Sequence, residues 1–164
     1  MRDLGSLGGP GSSSFATGIN DAGQVVGYFE TASGDSHAFI TGPNGEDMKD
    51  LGTLGLGGPG SSSFATGINN AGQVVGYFEV PGGTHAFVTG PNGENMADLN
   101  SLVTLPDGVF LKEAAGINNL GQVVAVAVVP ESASYALMLA GLALIGFMLR
   151  RQHFVGVHSV RCGT

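Results

Sequence analysis

The chain has 164 residues, 43% of them hydrophobic, with 29 glycines, no tryptophan and one cysteine, Cys162. This length suits one core of ordinary size, and one cysteine excludes an intrachain disulfide. Residues 1–131 hold all thirteen acids and three bases (Arg2, Lys49, Lys112), a net of −10, whereas residues 132–164 hold three bases (Arg150, Arg151, Arg161) and no acid; an acidic repeat region repels phosphate backbones, so no nucleic-acid partner is expected.

The chain opens directly on repeat sequence at Met1, Arg2 and Asp3. A signal peptide would place a charged and then an apolar region there. Because the rest of the chain reads as secreted, we expect it to be a fragment or its true start to lie upstream.

Internal repetition dominates the chain as far as residue 124. Residues 3–20 return almost unchanged at 50–69, residues 23–30 at 72–79 and residues 37–46 at 85–94. A third start at residues 98–102 continues through 116–124 and stops before any His-Ala-Phe. The element Asn-x-x-Gly-Gln recurs at Asn20, Asn69 and Asn118, 49 residues apart each time.

Taken in chain order, residues 2–7 predict a lone fourth strand. Each unit then predicts four strands, which in the first copy fall at 15–20, 24–30, 37–41 and 48–51. Valine and aromatic residues favour the second of these. Asn20 and Gly23 stand at the ends of a four-residue turn, where Asn first and Gly last suit a type I geometry. Pro43 sets φ at the second place of the turn at 42–45. No sustained 3.6-residue apolar period runs through the repeats, so helices are not expected there. We expect Phe15, Ile19, Val25, Phe39, Leu51, Phe64, Ile68, Val74 and Phe87 inside, with Tyr28 and Tyr77 partly exposed.

Four antiparallel strands in about 48 residues match the size of a β-propeller blade, whose repeats run to ~40–50 residues. Closure takes roughly 4–8 blades. The fold class expected is therefore an all-β repeat of four-stranded antiparallel, propeller-blade-like units, incomplete and open, followed by one C-terminal transmembrane-type α-helix. The units span about 3–49, 50–97 and, in part, 98–129. The elements Gly-Ile-Asn-x-x-Gly-Gln-Val-Val-Gly, His-Ala-Phe and Asp-Leu-Gly-x-Leu-Gly resemble the bacterial extracellular repeats called the HAF family, over roughly residues 2–125. The resemblance implies export and no established enzymatic activity. The third unit departs from it by lacking His-Ala-Phe.

Residues 133–149 form a run of seventeen uncharged, mostly apolar positions. As a helix they rise about 25 Å at ~1.5 Å per residue, the short end of what spans a bilayer. Arg150 and Arg151 follow at once, and the positive-inside rule keeps them cytoplasmic, with the acidic repeats on the far side. Val129, Pro130, Glu131 and Ser132, with the helix and the arginine pair, are similar to the PEP-CTERM sorting signal of Gram-negative bacteria, over residues 130–151. That resemblance implies recognition by an exosortase, processing near Pro130 and Glu131, and release to the surface or extracellular matrix. Ser132 stands where the family usually has a second proline. The thirteen residues 152–164, expected to be an unstructured tail, run further past the arginines than the family usually does.

Other candidate sites read better as structure. His37 and His85 take equivalent places in two repeats and have no second ligand at metal spacing, so each is expected to satisfy a turn or a neighbouring strand. Asp21, Asp35, Asp47 and Asp50 suggest calcium with turn carbonyls, but Asp21 becomes Asn70 in the second unit, so solvated turn carboxylates are expected. Residues 55–60 match G-x-G-x-x-G by letter without the helix that a dinucleotide site needs. The serine runs 12–14 and 61–63 are not nucleophile elbows and read as flexible leads into a strand. Cys162 lies in the tail beyond the arginine pair, and a nucleophile role is not expected for it.

We therefore expect a non-enzymatic exported repeat protein without catalytic residues, cofactor or metal. It would be anchored in the inner membrane by its C-terminal helix before an exosortase-type enzyme processes it. The alternative is a propeller-like binding module for polysaccharide or protein, which predicts exposed aromatics clustered on one face. Tyr28, Phe29, Tyr77 and Phe78 are the candidates, and strand alternation turns half of them inward. A propeller-type hydrolase or lyase needs a non-repeated set of acids or histidines, and the acids here are mostly repeated.

Overall fold

The computed structural model describes residues 4–55 and 60–129. The helix expected at 133–149, the sorting residues Pro130, Glu131 and Ser132, the pair Arg150 and Arg151, and the tail 152–164 lie outside the described residues. Among the described residues no helix is long and apolar enough to cross a membrane.

The architecture is all-β and antiparallel. Strands β1 (Ser14–Ile19), β2 (Val25–Glu30), β3 (Ser36–Ile40) and β4 (Lys49–Gly52) form one sheet in sequence order. Strands β5 (Ser63–Ile68), β6 (Val74–Val80), β7 (Gly83–Val88) and β8 (Ala97–Asp98) form a second sheet with the same order. Strands β9 (Phe110–Ile117) and β10 (Val123–Val128) form a two-stranded third.

The first hairpin of each unit closes through its asparagine. Asn20 Oδ1 accepts from the backbone N–H of Ala22 at 3.1 Å and of Gln24 at 3.0 Å, and Gly23 N–H donates to the Asn20 carbonyl at 3.0 Å. Gly23 takes φ +74°, open to glycine at no steric cost. Asn69 and Asn118 repeat the arrangement. The second turn, at Pro43–Gly45, packs against the first, with Asn44 N–H donating to the Ala22 carbonyl at 3.1 Å and Gly45 N–H to the Gly23 carbonyl at 2.9 Å. Two short local turns thus brace each other at one end of each full unit.

The sheets pack face on face, and this is where the core sits. Val26, Ala38 and Ile40 of the first unit bury against Ala65, Val74, Phe78 and Phe87 of the second. Val75 and Ala86 of the second bury against Ala114 of the third, with Val123 and Ala125 packed alongside. The pair Val74 and Val75 therefore serves two interfaces, because consecutive strand residues point to opposite faces.

Several expectations are corrected. Phe15 is 48% exposed and Ile19 68% exposed, although both were expected inside. Their copies Phe64 and Ile68 are partly buried, because a sheet lies against β5 and none of the described residues lies in the same way against β1. Val25 and Leu51 are also only partly buried, whereas Phe39, Val74 and Phe87 are buried. Residues 4–7 form no strand, since no strand like β3 is there to pair with them. They keep the place of the end of β4 nonetheless: Leu4 approaches Gly45 as Leu51 approaches Gly93.

Candidate functional site

The most developed polar feature runs between units. The first strand of each unit carries an equivalent bulge that leaves Thr17 in β1, Thr66 in β5 and Ala115 in β9 without a partner in the register, and β9 has a second one at Lys112. A bulge re-aims the side chain of the extra residue. Thr17 Oγ1 donates to the Ala65 carbonyl at 2.8 Å, 48 residues on, and Thr66 Oγ1 to the Ala114 carbonyl at 2.5 Å. Ala115 has no hydroxyl to continue the series.

A second ladder lies beside it. Asn20 Nδ2 donates to the Asn69 carbonyl at 3.0 Å, and Asn69 Nδ2 to the Asn118 carbonyl at 3.0 Å. Asp21 N–H donates to Asn70 Oδ1 at 3.1 Å, and Asn70 N–H to Asn119 Oδ1 at 2.9 Å. Asn70 Nδ2 returns a bond to Asp21 Oδ2 at 2.6 Å. The backbones run close together here: a Cβ on Gly67 would lie 3.5 Å from the Gly116 Cα, in ordinary van der Waals contact.

The serine run at 61–63 is part of the same system and not a flexible lead. Ser63 is fully buried, donates from Oγ to the Gly52 carbonyl at 2.6 Å and accepts the Ala38 N–H at 2.9 Å. Ser62 Oγ accepts the Ser36 N–H at 3.2 Å. In the third unit, Lys112 stands at the position of Ser63, and Asn100 supplies the link, donating to the Leu111 carbonyl at 2.9 Å and accepting its N–H at 2.6 Å.

His37 lies on β3 with Nδ1 2.9 Å from Asp50 Oδ2 on β4, and His85 on β7 with Nδ1 2.8 Å from Asp98 Oδ2 on β8. Each pair holds a short fourth strand to its sheet, and each imidazole meets the edge of a buried phenylalanine, Phe29 or Phe78. Among the described residues no three His, Cys, Asp or Glu side chains converge on a common point. Asp21 is engaged with Asn70, Asp50 with His37, and Asp35 with the Ser33 hydroxyl at 2.7 Å.

The aromatics form one row across two units. Phe15 stacks on Tyr28, Tyr28 meets Phe64 edge-on, and Phe64 stacks on Tyr77, each step 5.0 Å between centroids. Phe29 and Phe78 point inward and are buried. The row therefore includes Phe15 and Phe64, which were expected in the core. Its stacked pairs turn their faces to one another. Burial pushes the Tyr77 phenol above its ordinary value of 10.0, and the neighbouring Glu113 carboxylate adds to the shift.

On the outer face of the first sheet, Leu4, Ala16, Gly18, Ile19 and Val25 line a shallow groove of about 390 Å³. Its counterparts in the second unit, among them Leu51, Ala65, Ile68 and Val74, take part in the core shared with Val26 and Ile40. No protein-family model, curated protein or solved structure matches this chain.

Proposed function

We propose that the chain is a non-enzymatic repeat protein of the cell surface or extracellular matrix, made of open, propeller-blade-like units. Residues 130–151 serve as a PEP-CTERM-like sorting segment: an apolar helix that anchors the chain in the inner membrane until an exosortase-type enzyme processes it near Pro130 and Glu131. The observation that carries the scaffold reading is how the reactive side chains are used. His37, His85, Asp21, Asp50 and Asn69 are each engaged in bonds between strands or between units. Export rests on the resemblance of the repeats and of the tail.

The experiment is fractionation of the full chain, given a signal peptide, in hosts with and without exosortase. Membrane retention without the enzyme and release with it is the expected pair of results. Recovery as a soluble protein from both hosts overturns the sorting role.

A second reading, a binding module for polysaccharide or protein, is favoured by the aromatic row. Flat sugar faces stack on open ring faces, and in this row the stacked pairs Phe15–Tyr28 and Phe64–Tyr77 cover one another. The scaffold reading is the better supported of the two.

A further inference from the structure

We propose that copies of this chain associate head to tail, the β9–β10 sheet of one copy docking on the outer face of β1 in the next. The contact would continue the interface that already joins the three units within the chain.

Among the described residues, the two surfaces are uncovered counterparts of the part of the repeated interface that the first two strands of each unit form. Val26 and Val75 stand at equivalent positions, face the following unit and are both 0% exposed. Their counterpart Val124 is 69% exposed. Val126, at the position of Tyr28 and Tyr77, is also exposed. At the other end, Ile19 and Phe15 are open where Ile68 and Phe64 are partly covered. The groove of Leu4, Ala16, Ile19 and Val25 corresponds to the surface against which Val26 packs in the second unit. In the docked pair Val124 enters that groove, and Val126 meets Phe15 as Tyr28 meets Phe64.

The polar ladder continues in the same register. Asn118 Nδ2 holds Gln122 Oε1 at 2.7 Å, as Asn20 and Asn69 hold Gln24 and Gln73. Asn20 and Asn69 also donate onward, to carbonyls that already accept a turn bond from Gly72 and Gly121. The Asn20 carbonyl accepts the matching bond from Gly23, and its second lone pair is the acceptor the series requires. The Asn119 N–H would likewise reach the Asp21 carboxylate of the next copy, as Asn70 N–H reaches Asn119 Oδ1. The unit-to-unit relation is heterologous, so repeating it adds copies in one direction, into a ring where the rotation closes and an open chain where it does not, and never an isologous pair.

The test uses full chain in mild detergent, with reductant present so that Cys162 does not cross-link copies. Sedimentation velocity is followed against concentration for wild type, Ile19→Asp and Val124→Asp. Both substitutions fall on exposed positions, and circular dichroism checks that the β signal is kept. The wild type should form a concentration-dependent series of oligomers. Each variant alone should associate about tenfold or more weakly. An equimolar mixture of the two should form dimers and nothing larger, because each supplies the one face that the other lacks. Wild type that stays monomeric overturns the proposal. So does association that neither variant weakens, which would place it in the apolar tail, and so does a mixture that fails to dimerise.

Discussion

Asn69 donates from Nδ2 to the Asn118 carbonyl at 3.0 Å while its own carbonyl accepts the same bond from Asn20 at 3.0 Å. One residue thus closes its own hairpin and joins three units, its side chain reaching the third and its backbone carbonyl accepting from the first. It is 3% exposed, whereas Ala71 and Asn118 are exposed and Gln73 is half-buried. Asn69→Ala strands the backbone N–H groups of Ala71 and Gln73. A hydrogen bond contributes about 0.5–1.5 kcal/mol net, and the Asn69 side chain makes several, so a loss of about 2 kcal/mol is expected in denaturant unfolding. Asn118→Ala, at an exposed copy of the same turn, should lose less than half as much.

The repeated phenylalanines should separate by position. Phe87 is fully buried between the first two sheets, and Phe87→Ala should cost about 3–5 kcal/mol. Phe15 lies at the open end of the aromatic row, and Phe15→Ala should cost under ~1.5 kcal/mol, the scale of one aromatic pair. Equal losses in the two unfolding curves would contradict the assigned faces.

Gly76 is required by space alone. A Cβ there would stand 2.0 Å from the Phe64 carbonyl oxygen across the β5–β6 pair. Gly76→Ala should therefore break that pairing and yield a chain lacking the cooperative transition. At Gly83 in β7 nothing lies within 4 Å of the place a methyl group would take, and Gly83→Ala should leave stability within ~0.5 kcal/mol of wild type.

Tyr77 gives a pH dependence with a defined sign. Burial and Glu113 raise the pKa of its phenol above 10.0 in the folded chain, so the folded state holds this proton more tightly than the unfolded state does. The contribution is full below the unfolded value and is lost as pH rises through the folded one. Stability should fall in that alkaline window, and Tyr77→Phe should flatten the fall. Glu113→Gln should bring the tyrosinate absorbance transition to lower pH. An unchanged transition would remove Glu113 as a cause.

Much of the fold was legible from local chemistry. Asn20 with Gly23, and Pro43 with Gly45, specify their turns within four residues, so two of the three hairpins of each full unit follow from the sequence. The engagement of His37 with a neighbouring strand also followed from its repetition at His85. Two sites were not legible. Ser63 reads as part of a polar lead, and only the packing of β5 on the first sheet buries it against Gly52 and Ala38. The bulge at Thr17 leaves no local signal, and its hydroxyl finds Ala65 only because a second unit stands opposite.

By itself, the sequence determined the strands of the two full units, their turns and the 49-residue repeat, because each rests on φ preferences and side-chain bonds closed within a few neighbours. Only the tertiary structure decided which copy of a residue is buried. Phe15 and Phe64 have the same neighbours in sequence, as do Ile19 and Ile68, yet the first of each pair is open and the second is partly covered. Burial is a property of the sheet packed opposite, which lies about one repeat away in the chain, and no local pattern encodes whether that sheet is there.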